Sequence, residues 1–344
     1  MRIVLFEVEP WEREVFEPLR DAGHDVAFVA EPLGARNAGQ FEDAEVLSTF
    51  TFSTLDRGVL ERLPRLRLIA TRSTGYDHIA LDYCDERGVL VSNVPAYGCE
   101  TVAEHVFALL LAISHRIVEA VNRTRMGDFS QRGLQGFDLY GKTMGVIGTG
   151  DIGRCTVRIA KGFGMEVLAF DVRRDERAAE EMGFTYVGLD ELYARSDVIT
   201  LHVPAIKATE NMISEDAFAK MKDGVVLINT ARGSIVDTAA LVRAIAEKKV
   251  AAAGLDVLAE EPTIREEAEL LRSVYTREAD VHTLLANQVL LHLPNVLVTP
   301  HSGFNTREAV ERILSTTRNN IESFLAGRPL NVVNEPAVSV WASR

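Results

Sequence analysis

Residues 143–153, TMGVIGTGDIG, decide the reading of this chain: an apolar run passes straight into Gly148, Gly150 and Gly153 in the spacing GxGxxG. Alone, such glycines mark no more than a strand-to-helix turn. Here the turn opens a helical pattern, DIGRCTVRIAKGFG (151–164), and a second apolar run, EVLAF (166–170), leads to Asp171. Strand, glycine turn, helix, strand and an acidic residue about twenty positions on are the features of a dinucleotide-binding βαβ unit. Gly148 permits the tight turn, Gly150 lets the backbone approach a pyrophosphate, and Gly153 lets the helix pack closely on the strand. Amides at the helix N-terminus then face the phosphates. Asp171 is expected to accept hydrogen bonds from the adenosine ribose, and its charge to repel the extra phosphate of NADP. Arg173 and Arg174 either hold such a phosphate or begin the next helix as solvated residues; the carboxylate favours NAD.

Outward from this unit, short apolar runs alternate with amphipathic stretches almost from end to end, the pattern of βα units stacked around parallel sheets. The fold class is α/β, with two doubly wound, Rossmann-like parallel sheets. Toward the N-terminus the spacing predicts strands at 2–7, 25–29, 45–48, 67–71 and 89–92, with helices at 11–21, 55–62 and 79–87, the last stopped by Gly88. VPAYG (94–98) breaks the pattern, and we place a hinge there. The helix from about Cys99 to Ile117 carries VFALLLAI (106–113), apolar on every side, so it is either a core helix or a subunit contact. Toward the C-terminus strands are predicted at 144–148, 166–170, 184–187, 198–201, 225–229, 250–255 and 296–299. A charged insertion from Glu261 to Pro294 suggests helices over one edge of the site. A closing helix places Val310, Ile313, Leu314, Ile321, Phe324 and Leu325 on one face and stops at Gly327.

Composition excludes several partners. Thirty-seven basic against fifty acidic side chains give a net charge of -13 over 344 residues, which repels nucleic acid and anionic bilayers at long range. The longest uncharged apolar stretch, Val106 to Ser114, falls far short of the roughly 20 residues that span a membrane. RIVLFEV (2–8) already reads as a strand rather than a signal peptide, so a cytoplasmic location is expected. Cys84, Cys99 and Cys155 form no CxxC pair; they are expected to be reduced thiols, and no metal-ligand spacing is present.

Ligands of open parallel sheets sit beyond the carboxyl ends of the strands. VVLIN (225–229) leads into TARGSIVD with Arg232, AAAGL (251–255) into DVLAEEP with Asp256, Glu260 and Glu261, and VLVT (296–299) into PHSGFNT with His301. A cation, a carboxylate and an imidazole at successive strand ends match the needs of hydride transfer between a 2-hydroxy acid and a nicotinamide. The cation holds the substrate carboxylate and polarises the reacting oxygen. The imidazole moves the hydroxyl proton, and the carboxylate orients it and stabilises its charged form. Spacing does not separate Glu260 from Glu261. His202, after VITL, is an alternative acid/base that also suits the cofactor cleft, and His105 and His115 on the apolar helix read as core residues.

With VIGTGDIG (146–153), LHVPAIKATENMI (201–213), INTARGSIVDTAAL (228–241), GLDVLAEEP (254–262) and VTPHSGFNT (298–306) in this order, the chain resembles the D-isomer-specific 2-hydroxyacid dehydrogenases over nearly its whole length. ATRSTGYDHI (70–79), VPAYG followed by VAEHVFALLL (102–111), the long insertion and Phe304 are most similar to the D-lactate dehydrogenase branch. Ala80 replaces the common Asp after GYDHI, and FTFSTLD (50–56) lacks the Tyr that branch often supplies near the substrate. The resemblance implies a substrate domain split between both chain ends, 1–98 and 300–334, around an NAD domain at 99–299. It implies Arg232 as substrate anchor, His301 as acid/base and Glu261, before Pro262, as its partner. Cofactor contacts are implied for Gly148, Thr149, Gly150, Asp151, Ile152 and Gly153 in the turn and for Asp171. Others fall at His202, Pro204, Thr230, Ala231, Asp256 and Gly303, with Asp256 and the Ala231 carbonyl on the nicotinamide carboxamide. Substrate contacts are implied for Thr74, Gly75, Tyr97 and Phe304 besides Arg232. The expected protein is a homodimeric, NAD-dependent reductase of small 2-oxo acids to D-hydroxy acids. The alternative is an NAD(H)-sensing corepressor, a binding protein that resembles this family.

Overall fold

Two parallel sheets organise the chain in the computed structural model, which describes residues 1–259 and 281–336. They belong to two compact units, one made of Met1–Tyr97 and the chain from Thr306 onward, the other of Gly98–Asn305. The second boundary lies beyond residue 300, where sequence motifs place it. Residues 300–305 go with the larger unit because Asp256 binds this segment through the amides of Ser302 and Gly303.

In the smaller unit β1 (Arg2–Leu5), β2 (Asp25–Phe28), β3 (Val46–Thr49), β4 (Leu68–Thr71) and β5 (Leu90–Ser92) pair in parallel in the order β2-β1-β3-β4-β5. The strands are short apolar runs rather than alternating ones, as expected for a sheet covered on both faces. Val4, Phe6, Leu47, Ile69 and Val91 enter one continuous core with Leu55, Leu60 and Leu63. The helices are α1 (Arg13–Asp21), α2 (Arg57–Leu60), whose first turn is capped by Asp56 accepting from Val59 N, and α3 (Leu81–Arg87). Gly88 closes α3 in the left-handed region at φ 72°, the stop read from sequence. After the return crossing, the last described helix (Arg307–Leu325) buries Val310, Ile313, Leu314, Ile321 and Phe324 against β4 and α1. The chain then adds Val332 beside Ser92, and Asn334 accepts from Val91 N while donating to Val89 O and Asp85.

In the larger unit seven parallel strands follow the order β12-β11-β10-β9-β6-β7-β8. These are β6 (Thr143–Ile147), β7 (Glu166–Phe170), β8 (Thr185–Tyr186), β9 (Val198–Leu201), β10 (Val225–Asn229), β11 (Val250–Leu255) and β12 (Val296–Val298). Strand order reverses between β6 and β9, the place where an open α/β sheet leaves a crevice for a ligand. The apolar helix α4 (Cys99–Ser114) packs on β11 and on α6 (Asp151–Gly162), with Phe107 stacked on Phe163 at 5.2 Å between ring centres. It stops before the predicted Ile117. Phe137 N closes on Ser114 O, Arg116 turns left-handed at φ 50°, and α5 (Ile117–Arg125) leaves at 60°. The unit also contains α7 (Glu176–Met182), α8 (Leu189–Arg195), α9 (Glu215–Lys220), α10 (Thr238–Ala246) and α11 (Val281–His292), and α12 is the Arg307–Leu325 helix of the smaller unit. Of the helices expected in the insertion, α11 is described and packs on α10 and β12; residues 260–280 lie outside the described chain. No single helix among the described residues is long and apolar enough to cross a membrane.

Candidate active site

The glycine turn lies at the β6 end of the larger sheet. Gly148 has φ 98°, and a Cβ there would sit 2.6 Å from the His202 carbonyl oxygen, so both conformation and space demand glycine. A Cβ on Gly153 would meet the Gly148 carbonyl oxygen at 2.0 Å, which is how closely α6 rests on the turn. Nothing lies within 4 Å of the corresponding position on Gly150, the residue before α6, so the backbone faces open space at the helix N-terminus. Asp151 and Ile152 form the first turn of that helix. A dinucleotide pyrophosphate fits such ground, because the first amides of a helix have no intrahelical acceptor.

Asp171 follows β7 and points its carboxylate back at the turn. Oδ2 accepts from Thr149 N at 2.6 Å and Thr149 Oγ1 at 3.0 Å, and Oδ1 accepts from Arg173 N at 2.9 Å. Burial pushes this carboxyl up, but the amides of Arg173 and Thr149 and the Thr149 hydroxyl outweigh it and hold the group below the usual carboxylate range. His202, beyond β9, pairs with Thr200 Oγ1 at 3.0 Å, and burial pushes its imidazole down to about 3. Burial thus disfavours a charged imidazole at His202. Pro204 is exposed two residues on.

Arg232, Asp256 and His301 come from the ends of β10, β11 and β12, three adjacent strands. The turn carrying Arg232 is tied by Asn229, fully enclosed at the end of β10, which donates to Arg232 O at 2.9 Å and accepts from Ala231 N at 3.0 Å. Arg232 Nη1 donates to Ala231 O at 2.8 Å. Thr230 Oγ1 is buried with no hydrogen-bond partner among the described residues, a polar atom suited to meet a bound cofactor.

Asp256 is 2 % exposed and carries the loop after β12. Its Oδ1 accepts from Thr299 Oγ1 at 2.5 Å, from Ser302 N at 2.9 Å and from His105 Nε2 at 3.2 Å, and its Oδ2 accepts from Gly303 N at 2.8 Å. Burial raises this carboxyl, and the four donors together bring it below the ordinary range. His105 Nε2 lies 3.0 Å from Thr299 Oγ1; since Asp256 takes the Thr299 proton, that nitrogen carries its own hydrogen and serves both oxygens. His105 thus hydrogen-bonds within the core, as expected of a histidine on the apolar helix. His301 is held in the left-handed region at φ 53°, with its amide donating to Asp256 O and Thr299 O, both at 2.9 Å. Gly303 is glycine because a Cβ would reach Asp256 Oδ2 at 2.8 Å. Its amide is spent on that carboxylate rather than turned to a ligand. Phe304 is half-buried next to it. Glu260 and Glu261 lie outside the described residues, so the choice between them has no geometry here.

The smaller unit holds the remaining candidates. Thr74, exposed beyond β4, donates from Oγ1 to Val94 O and accepts at its carbonyl from Asn93 Nδ2, each at 2.8 Å, while Ser73 Oγ donates to Gly75 O at 2.6 Å. Beneath this loop Arg72, 2 % exposed, donates to Phe6 O and Glu7 O from the β1 end and to Ser48 Oγ on β3. Glu7, in the left-handed region at φ 57°, accepts from Phe50 N, and burial raises its carboxyl against the pull of Arg72. Tyr97 accepts at its carbonyl from Arg312 Nε at 2.5 Å. Sequence reading missed Glu7, Arg72, Asn93 and Asn229. Of these only Asn229 left a signal, a polar residue ending an apolar strand.

Comparison with known proteins bears on this arrangement. Residues 107–303 match the family model for the D-isomer specific 2-hydroxyacid dehydrogenase, NAD binding domain. A 2-hydroxyacid dehydrogenase homolog of Haemophilus influenzae is 38% identical over 335 residues, covering 95% of this chain and 97% of the relative. A glyoxylate reductase of Pyrococcus furiosus is 35% identical over 343 residues, covering 97% and 91%. The crystal structure of a D-lactate dehydrogenase from Aquifex aeolicus complexed with NAD and lactic acid is similar with a TM-score of 0.85 and 37% identity, covering 97% of this chain and 100% of that one.

Proposed function

The chain belongs to the NAD-dependent D-isomer-specific 2-hydroxyacid dehydrogenases, and from that premise we propose that it reduces a small 2-oxo acid to the D-2-hydroxy acid, with Arg232, His301 and Glu261 as its acting side chains. The observation that supports this most is the placement of Arg232, Asp256 and His301 at three neighbouring strand ends of the sheet that carries the glycine turn. Bound NADH supplies the hydride. Arg232 pairs with the substrate carboxylate and polarises the carbonyl oxygen, a charge-assisted contact that strengthens as negative charge develops there. Charged His301 gives a proton to that oxygen, and Glu261 stabilises the imidazolium. Asp256 and the Ala231 carbonyl would hold the nicotinamide carboxamide, and Asp171 the adenosine ribose. Amides at Thr74 and Gly75 receive the substrate carboxylate, and Tyr97 and Phe304 bound the substrate. Residues 1–97 with the C-terminal segment act as the substrate domain, and 98–305 as the NAD domain.

Relatives named for D-lactate and for glyoxylate define the first substrates to try. NADH oxidation with pyruvate, glyoxylate and phenylpyruvate is expected to show turnover with at least one; with pyruvate or phenylpyruvate the product should be the D isomer on a chiral column, whereas glycolate from glyoxylate has no stereocentre. NADH binding without turnover on any 2-oxo acid would replace the enzyme by a sensor. We further propose a homodimer through the exposed apolar side chains around α5, Met126, Phe129 and Tyr140 among them. The free thiols of Cys84, Cys99 and Cys155 support a reducing compartment, the cytoplasm.

A further inference from the structure

Tyr186, on the edge strand β8, belongs to none of the motifs and to none of the roles above. Its hydroxyl nevertheless ends a chain of hydrogen bonds whose direction is forced. Asp171 is an ionised acceptor, so the single proton of Thr149 Oγ1 goes to Asp171 Oδ2 at 3.0 Å. The 2.7 Å contact between Thr149 Oγ1 and Tyr186 Oη must then be donated by the tyrosine, while Asp175 N donates to Tyr186 Oη at 3.3 Å. Tyr186 thus fixes the rotamer of Thr149, and through it the face that Asp171 offers.

The same ring has a second contact. The Arg174 guanidinium stands 5.8 Å from the Tyr186 ring centre and donates to Val187 O at 3.4 Å. Arg154, another cation close to the turn, donates to Thr149 O at 2.9 Å and pairs with Asp175 at 3.0 Å. Of the arginines near Asp171, Arg154 and Arg174 are therefore engaged, the second on the tyrosine itself, while Arg173 is exposed and gives its backbone amide to Asp171.

We propose that Tyr186 is the positioning residue for cofactor choice, its hydroxyl ordering Thr149 and Asp171 toward a ribose diol and its ring keeping Arg174 from a 2′-phosphate. The proposal goes beyond the assignment of NAD to this crevice, and a direct binding measurement separates the two. Nicotinamide fluorescence titrations with NADH and NADPH would compare wild type, Tyr186→Phe, Tyr186→Leu and Tyr186→Leu/Arg174→Ala. Phe keeps the ring and removes the hydroxyl, so NADH affinity should fall about fivefold, with a smaller change for NADPH. Leu also releases Arg174, so the NADH-to-NADPH preference should fall roughly tenfold or more, and much of the gained NADPH affinity should vanish in the double variant. General loosening of the fold would weaken both nucleotides together and leave their ratio alone. An unchanged ratio in the Leu variant, or in the Phe variant should Leu fail to fold, overturns the proposal. A wild type that binds neither nucleotide overturns the cofactor assignment instead.

Discussion

Single residues in this site are legible from sequence when their chemistry is local and hidden when it depends on a distant partner. Arg232 and His301 stand out because charge ends an apolar strand. Asp256 stands out for the same reason, but its work on Thr299, Ser302, Gly303 and His105 joins positions more than forty and up to about 150 residues apart, which no spacing announces. That network gives a pH prediction. The folded Asp256 carboxyl is held below its usual range, so its stabilisation is complete above the unfolded value of about 3.9 and is lost as pH falls through the folded one. Melting temperature against pH should therefore drop on the acid side in wild type and drop less steeply in Asp256→Asn. At neutral pH that variant should cost about 3 kcal/mol, because an amide hydrogen is turned toward buried donors. A similar acid slope in both proteins would contradict this account. The second prediction concerns Glu261, where sequence alone speaks. Removing a negative charge beside an imidazolium disfavours its charged form, and reduction consumes that form. Glu261→Gln should move the alkaline fall of kcat/KM for reduction to lower pH, with Glu260→Gln as the control. A shift confined to the Glu260 variant would assign the role to the neighbouring carboxylate.

Elements were read well where their ends carry a local signal. Gly88 stops α3 and Gly327 follows α12, each with φ near 70°, a conformation that favours glycine. The end of α4 was read too late because what stops it comes from elsewhere: the chain at Gly136 and Phe137 returns and seals the Ser114 carbonyl. A Cβ on Gly136 would stand 1.9 Å from that oxygen. Gly136→Ala should therefore lower the unfolding free energy by about 1–3 kcal/mol, the usual cost of overpacking against backbone that must shift. Denaturant titration decides this, and a variant as stable as wild type would show that the 136–137 chain can lift away. An all-apolar helix suits a core and an interface alike, and the contacts of α4 with β11 and α6 show its core side.

For the whole molecule, the period of apolar runs sufficed for class and parallel topology, because each βα unit repeats the same local alternation. The division into units was less legible, since residues 300–305 follow Asp256 and not the chain's own direction. A subunit contact is suggested in sequence by the apolar helix and by resemblance. Met126, Phe129 and Tyr140 are 79%, 81% and 82% exposed, a cost in water that a second copy would remove. Phe129→Asp should shift a dimer toward monomer in light scattering behind size exclusion, with an unchanged mass counting against that surface. One feature of the smaller unit also bears on the order of synthesis. Its sheet edge is finished by Val332 and Asn334, whose bonds reach Ser92, Val91 and Val89, so a nascent chain holds residues 1–97 with an open edge until residues 332–334 have been made. The larger unit has all its strands from residues 98–305 and can fold first. The early segment must wait with its sheet edge uncovered, a hazard for aggregation that grows when elongation slows before residue 334. A chain stopped after residue 330 should keep a protease-resistant core spanning 98–305 and lose residues 1–97 to digestion; equal resistance of both parts would mean that the N-terminal sheet stands without the segment at Val332 and Asn334.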